Sequence, residues 1–202
     1  MFLPLLFRRL KWKKAISYYS VTGVLLLLFF LPFLSGAFAE NFFSSINLWF
    51  QKFEFNASFY YLIRWIGYKI EGYNIIAYAG PGLAAVVFFS VLFLSIFRRN
   101  MGLKGLLTSM MFASVIYLLL ATTVHPWYLA TPLLLSIFTR YKFVQVWSLM
   151  VVLSYFAYSQ QDYEENLWLL AIEYIIVLSV LVYEFCFQRE KMVPADLADR
   201  RR

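Results

Sequence analysis

Thr122-Thr123-Val124-His125-Pro126-Trp127-Tyr128 is a polar break between two apolar runs, and it holds the only histidine of the chain. Pro126 lacks a backbone N–H and disfavours helix at the residue before it. We therefore expect one helix to end near Val124 and another to begin at Pro126. Tryptophan and tyrosine rings favour the membrane-water boundary, which is the depth expected for Trp127 and Tyr128. The stretch predicts a polar turn at the edge of a membrane.

Composition indicates the class of protein. Of the 202 residues, 62% are hydrophobic and only 14% are charged, and the apolar residues come in runs long enough to cross a bilayer. We expect an all-α, polytopic membrane protein. A single cysteine, Cys186, excludes an intramolecular disulfide and a cysteine-rich metal site. The net charge of +7 does not argue for nucleic acid, because topology and anionic lipid head groups explain the basic residues.

The apolar runs predict about six transmembrane helices within a membrane domain at 1–187, followed by a charged cytoplasmic tail at 188–202. A long outer loop at 40–73 is aromatic but too charged to span. Its apolar residues recur at helical spacing on both sides of Asn56-Ala57-Ser58, which predicts two amphipathic helices lying along the membrane surface. The expected spans are 18–38, 75–97, 105–121, 127–138, 143–159 and 167–187.

The distribution of basic residues decides between two topologies. If the short run 127–138 crosses the membrane, 15 of the 18 lysines and arginines lie on the inner side, and only Lys52, Arg64 and Lys69 lie outside. If it forms a re-entrant hairpin instead, the last two spans invert and seven basic residues move outside. The positive-inside rule favours six spans with both termini in the cytoplasm.

Polar and aromatic residues then concentrate on the outer side. A lipid-linked, anionic substrate would find charge at Arg64, a hydrogen-bond donor at His125, and rings that stack on a sugar or an isoprenoid chain. The alternatives are an aromatic belt around an ordinary turn and an arginine that reaches lipid phosphate. The remaining members of this set are Glu54, Asn56, Tyr60, Tyr61, Trp127, Tyr128 and the acidic loop at 162–165.

One further residue, Glu173, stands apart from this set. Glu173 lies two turns into the last span, where a carboxylate is costly unless it is protonated, paired or facing a cavity. No Gly-rich phosphate loop, paired histidines or Gly-x-Ser-x-Gly elbow is present in the sequence. Nothing in the sequence calls for a metal or a cofactor.

The run QKFEFNASFYYLIR at 51–64, followed by VHPWYL at 124–129, resembles bacterial membrane mannosyltransferases of the GT-C type, near glycosyltransferase family 87. The resemblance implies an enzyme of the bacterial inner membrane that transfers a sugar, usually mannose, from a polyprenyl-phosphate carrier to an acceptor on the non-cytoplasmic face. Such enzymes use an inverting displacement, with a loop carboxylate as general base. The substrate-binding residues expected here are His125, Arg64, Trp127, Tyr128, Tyr61 and Asn56.

The chain departs from that family in its number of spans, which is about half of the usual number. It resembles a carboxyl-terminal half, so a truncated chain, a partner chain that supplies the amino-terminal half and a degenerate copy all remain open. The catalytic acid is expected upstream, and the resemblance does not assign that role to Glu40 or Glu54. The alternative is a non-enzymatic membrane protein, either a carrier or flippase for lipid-linked sugars or an assembly subunit.

Overall fold

The structure, a computed structural model, describes residues 2–98, 100, 102–159 and 163–187. Over these ranges the chain is all-helical and has no strand, which confirms the predicted class. The α-helices are α1 (Leu3–Phe30), α2 (Gly36–Lys52), α3 (Phe59–Ile70), α4 (Ile76–Phe97), α5 (Leu103–Leu120), α6 (Ala130–Ile137), α7 (Phe143–Met150) and α8 (Leu167–Phe187). Shorter 3-10 helices occupy Leu31–Phe33, Pro126–Leu129 and Val151–Ser159.

Four of the described helices are long and apolar enough to cross a membrane: Arg9–Phe33, Ile76–Phe97, Leu103–Leu120 and Leu167–Phe187. The last three match the expected spans closely. The runs at 127–138 and 143–159 instead form shorter apolar helices, Pro126–Ile137 and Phe143–Ser159. Helix length and composition therefore account for four spans rather than about six.

The first expected span, 18–38, has the wrong boundaries. The helix around Tyr19 begins at Leu3 and ends in a 3-10 turn that contains Pro32. Ser35 then starts α2, because its side chain accepts a hydrogen bond from the Phe38 N–H at 3.1 Å. Residues 36–38 consequently belong to the next helix.

A sharp bend at Lys11 folds the beginning of α1 back on itself. Lys11 has φ 57° and ψ 150°, a backbone conformation that side-chain-bearing residues rarely adopt. The Tyr19 hydroxyl donates to the Leu3 carbonyl, 16 positions away, whereas a straight helix would separate these residues by about 24 Å. Segment 3–10 therefore lies beside the helix that follows it.

Segment 3–10 also packs against α4 and α5. The Leu5 side chain is fully buried in a cluster with Val91, Leu106 and Ala113, and Ser95 Oγ donates to the Pro4 carbonyl at 2.5 Å. The contact joins residues that are about ninety positions apart in sequence. This docking fixes the bend at Lys11 by tertiary packing.

Two helices form in the predicted outer loop, α2 and α3, and an extended break separates them. Within that break Phe55 pairs with Thr123 as an isolated parallel bridge. The Phe55 N–H donates to the Thr122 carbonyl at 3.1 Å, and the Val124 N–H donates to the Phe55 carbonyl at 2.7 Å. The expectation that a helix continues to Val124 is wrong: α5 ends at Leu120, because the residues after it hydrogen-bond to the loop.

By its internal contacts the chain divides after Val124 into two units, and each is described by itself. In the second unit α7 packs on α8. The buried Glu184 carboxylate of α8 accepts hydrogen bonds from the N–H groups of Lys142 at 2.7 Å and Phe143 at 3.2 Å, which caps α7. Glu173, the other buried carboxylate of α8, accepts a hydrogen bond from the Trp147 indole N–H at 2.9 Å.

The strained conformation of Lys11 predicts an unusual response to glycine. Lys11→Gly removes the Cβ that makes this conformation costly, and the free energy of unfolding should rise by about 1 kcal/mol. Lys13→Gly is the control, because Lys13 is exposed in regular helix and glycine there should cost about 1 kcal/mol. Thermal unfolding in detergent measures both changes; equal destabilisation by the two variants would contradict strain at Lys11.

Candidate functional site

The carboxylate of Glu54 is the centre of a polar cluster in the first unit, which we call the Glu54 cluster: Glu54, Tyr60, Arg64 and Asn74. The Tyr60 hydroxyl and the Asn74 amide nitrogen each lie 2.5 Å from Glu54 Oε1. Arg64 Nη1 forms an ion pair with Glu54 Oε2. Both carboxylate oxygens are therefore engaged by side-chain donors, as a partly buried charge requires.

Three separate segments bring these groups together. Glu54 lies in the extended break between α2 and α3, Tyr60 and Arg64 are one turn apart on α3, and Asn74 precedes α4. Asn74 Oδ1 accepts a hydrogen bond from the Ile76 N–H at 3.1 Å, so the same side chain also satisfies the first N–H group of α4. The cluster thus joins the loop to both of the helices that follow it.

Gly67 allows α3 to approach the start of α4 closely. A Cβ at this position would lie 2.6 Å from Cγ1 of Ile75, which is closer than side-chain atoms pack. The ring of Tyr60 is fully buried between these helices, in a cluster with Ala57, Ile76 and Leu83. Apolar packing therefore holds the phenol in position against the carboxylate.

Charge and burial fix the protonation of the donors. Burial, together with the hydrogen bond and charge of Glu54, raises the pKa of Tyr60 above its usual value, so the hydroxyl remains a donor. Its single hydrogen serves one acceptor at a time, and the Glu54 oxygen is closer than Asn74 Oδ1 at 2.9 Å. Burial alone would lower the pKa of Arg64, but Glu54 outweighs it and the pKa is raised.

Arg64 is the most accessible charge of this cluster. Its side chain is 28% exposed, against 13% for Glu54. The guanidinium lies over the ring of Tyr61, with Cζ 4.2 Å from the ring centroid, which is a cation-π contact. The structure therefore brings together two of the expected site residues, Arg64 and Tyr61.

Asn56, a third expected site residue, is placed next to this cluster along the chain but is 1% exposed. Its backbone is left-handed, with φ 47°, a conformation that asparagine adopts more readily than most residues. The turn geometry explains an asparagine at this position. The expectation that it binds substrate stays a prediction.

The remaining expected site residues lie together in the second unit. The imidazole of His125 stacks on the indole of Trp127, with ring centroids 4.4 Å apart and an angle of 8° between the planes. Tyr128 meets the imidazole edge-on at 5.3 Å. His125 is buried whereas Trp127 is exposed. One side of the stacked pair is therefore the accessible indole, and the imidazole packs beneath it.

Burial lowers the pKa of His125 below its usual value, so the imidazole is neutral at pH 7. A neutral imidazole still has one N–H that can donate a hydrogen bond. If His125 contacts an anion, it would therefore donate a hydrogen bond as a neutral group. The positive charge that balances the anion would have to come from another residue.

Sequence reasoning named Glu54 and Tyr60 as part of the outer surface but missed Asn74. The signal was present, because an asparagine shortly before an apolar helix is typical of a turn in which its side chain accepts a hydrogen bond from the N–H two residues on. Of the acidic loop, Asp162 lies outside the described residues, as does the predicted tail at 188–202. Within the described ranges, no group of three His, Cys, Asp or Glu side chains is arranged to hold a metal ion.

The geometry predicts that Tyr60→Phe destabilises the protein. The variant keeps the buried ring but removes one donor from the Glu54 carboxylate, which should lower the free energy of unfolding by about 1–3 kcal/mol. Tyr68→Phe on the same helix is the control: Tyr68 is 52% exposed, and the change should stay within about 0.5 kcal/mol. Denaturant unfolding compares them, and equal effects would argue against the hydrogen bond to Glu54.

The lowered pKa of His125 predicts a pH dependence of stability. Because the unfolded chain takes up a proton near pH 6.5 and the folded chain only at lower pH, stability should fall as the pH drops below about 6.5. His125→Gln should remove this part of the dependence, since the chain has one histidine. Thermal midpoints at pH 7.5 and 5.5 measure it; an identical pH response in the variant would contradict the assignment to His125.

Comparisons with protein-family models, with curated protein sequences and with solved structures return no significant match.

Proposed function

We propose that this protein is a membrane glycosyltransferase that binds a polyprenyl-phosphate-linked sugar, usually mannose, and serves its transfer to an acceptor at the outer face of the membrane. The observation that carries the proposal is Arg64: a guanidinium that is partly exposed, lies over the ring of Tyr61 and is ion-paired with Glu54. A guanidinium has five N–H donors, and the ion pair with Glu54 uses one. The others suit the oxygens of a phosphate.

Exposed apolar side chains on the same helix as Arg64 suit a ligand whose other end is apolar. On α3 the side chains of Leu62, Trp65 and Ile70 are 61%, 63% and 73% exposed. An amphipathic helix with such a face lies at the membrane boundary, where tryptophan is favoured. A phosphate bound by Arg64 would then sit at head-group depth while its isoprenoid chain stays in the lipid.

In the second unit, Trp127 and Tyr128 offer rings for contact with a sugar face or an isoprenoid chain, and His125 offers a hydrogen-bond donor. The exposed indole of Trp127 is the largest of these surfaces. These residues, together with Tyr61 and Asn56, complete the proposed set of substrate contacts. The acid or base that performs the chemistry is not assigned, because the Glu54 carboxylate is already engaged by three donors.

The proposed topology has six spans in the bacterial inner membrane, with both termini in the cytoplasm. The helix Phe143–Ser159 supports it, because α7 and the 3-10 helix after it together rise about 30 Å, the thickness of a hydrocarbon core. The helix Pro126–Ile137 rises about 20 Å. For that span the argument is the positive-inside distribution of the basic residues.

A carrier of lipid-linked sugars is the second candidate. The observation in its favour is Glu173, a fully buried carboxylate within the apolar helix α8. Carriers and pumps place ionisable groups inside their spans. In this chain one oxygen of Glu173, Oε1, accepts a hydrogen bond from the Trp147 indole N–H, a contact that ties the carboxylate to α7.

Arg64→Gln tests the proposed function. Loss of the guanidinium should weaken binding of radiolabelled polyprenyl-phosphate mannose by about ten- to a hundredfold. This is the change in the dissociation constant that corresponds to the free energy of one hydrogen bond to a charged group. Lys69→Gln, on the same helix, should stay within about twofold, because exposed surface charges contribute little. Binding to the purified chain in lipid nanodiscs is the measurement.

A double variant separates binding from folding. Glu54→Gln combined with Arg64→Gln removes both charges and leaves no unpaired carboxylate. If binding stays weak in the double variant, the guanidinium contacts the ligand; recovered binding would show that Arg64 acts only by pairing Glu54 and would reject the proposal. In membrane vesicles, consumption of the donor with labelled product indicates transfer, whereas a carrier moves the donor unchanged.

A further inference from the structure

Basic residues from distant parts of the sequence flank the docked segment 3–10 in the first unit. Arg9, Lys11, Lys13 and Lys14 surround the bend of α1, and Arg98 and Lys104 flank the link between α4 and α5. We call this set the basic end. Segment 3–10 joins its two halves, because it contacts Ser95, one turn before Arg98, and Leu106, two residues after Lys104.

No carboxylate in these three helices offsets this charge. The acidic residues of the sequence up to Val124 are Glu40, Glu54 and Glu71, which belong to α2, to the break before α3 and to the end of α3. The sequences of α1, α4, α5 and the α4–α5 link contain no aspartate or glutamate. The helices that pack around segment 3–10 therefore supply only positive charge.

Arg9 shows where a counter-charge is missing. Its Nη1 is buried, and no atom of the described residues accepts a hydrogen bond from it. Buried polar groups in folded proteins are nearly always paired, and an unpaired guanidinium N–H is costly. An anionic group bound beside Arg9 would satisfy this donor and the surrounding lysines together.

The neighbouring surface identifies the source of the anion as lipid. In the most apolar window of the candidate span Arg9–Phe33, none of the residues is buried within the protein. Side chains such as Leu27 and Phe29, at 65% and 74% exposed, can be covered by acyl chains. The basic end lies where this lipid-facing helix begins, at the depth of phospholipid head groups.

We infer that the basic end is a binding site for the phosphate of an anionic phospholipid, with Arg9 as its central donor and Lys13 and Lys14 as peripheral charges. The bound head group holds segment 3–10 in its folded-back position against α4 and α5. This site is separate from the Glu54 cluster, and the inference does not rest on the proposed glycosyltransferase function.

Reconstitution of the full chain in nanodiscs tests the site. Replacing part of a phosphatidylcholine bilayer with phosphatidylglycerol should raise the thermal midpoint by roughly 3 °C or more at low salt, since each basic contact contributes about 1 kcal/mol. Arg9→Gln should lose most of this rise. Lys69→Gln, an exposed lysine outside the basic end, should keep it.

Two further arms make the result decisive. Lys13→Gln with Lys14→Gln changes only exposed side chains and should halve the rise, which tests the site even if Arg9→Gln folds poorly. Inorganic phosphate added to the phosphatidylcholine sample should not reproduce the rise. Equal midpoints in the two lipids, an undiminished rise in the Arg9→Gln and double-lysine variants, or full replacement by inorganic phosphate would each overturn the inference.

Discussion

A single partly buried carboxylate sets the geometry of the first unit after α2. Glu54 cannot be desolvated without donors, and the chain provides them from two places besides its own loop: α3, through Tyr60 and Arg64, and the link between α3 and α4, through Asn74. Because Asn74 also accepts a hydrogen bond from the N–H of Ile76, the first residue of α4, the same side chain ties the carboxylate to the start of that helix. The position of Arg64, and with it the proposed contact for a substrate phosphate, depends on this arrangement.

The pairing of Phe55 with Thr123 explains why the polar break after α5 is not simply a turn. Thr122 and Thr123 look in the sequence like the exposed edge of a helix end. In the structure their backbone groups, together with Val124, join the loop that carries Glu54. The break that carries Glu54 is thereby joined to Val124, the last residue of the first unit. Nothing in the local sequence predicts this bridge, because it forms between residues about seventy positions apart.

The spacing of apolar residues predicted a helix well where a single apolar segment of the sequence forms a single helix. The bounds of α4, α5 and α8 follow from it, as do the two helices on either side of Asn56. It failed at α1, because the bend at Lys11 depends on packing of Leu5 against α4 and α5 rather than on any local signal. The cluster residues Glu54 and Arg64 were predicted to share a surface. Their ion pair and the hydrogen bond from Asn74 to Glu54 are visible only in the tertiary structure.

The docking of segment 3–10 has a consequence for biogenesis. Leu5 is synthesised about a hundred residues before Leu106, its partner in α5. At translation rates of about 5–20 residues per second, the segment exists for roughly 5–20 s before that partner has been made. During this interval the segment can contact the following part of α1 and, later, Val91 of α4, but the α5 part of its surroundings does not yet exist. The order of synthesis therefore makes the burial of Leu5 one of the last packing events in the first unit.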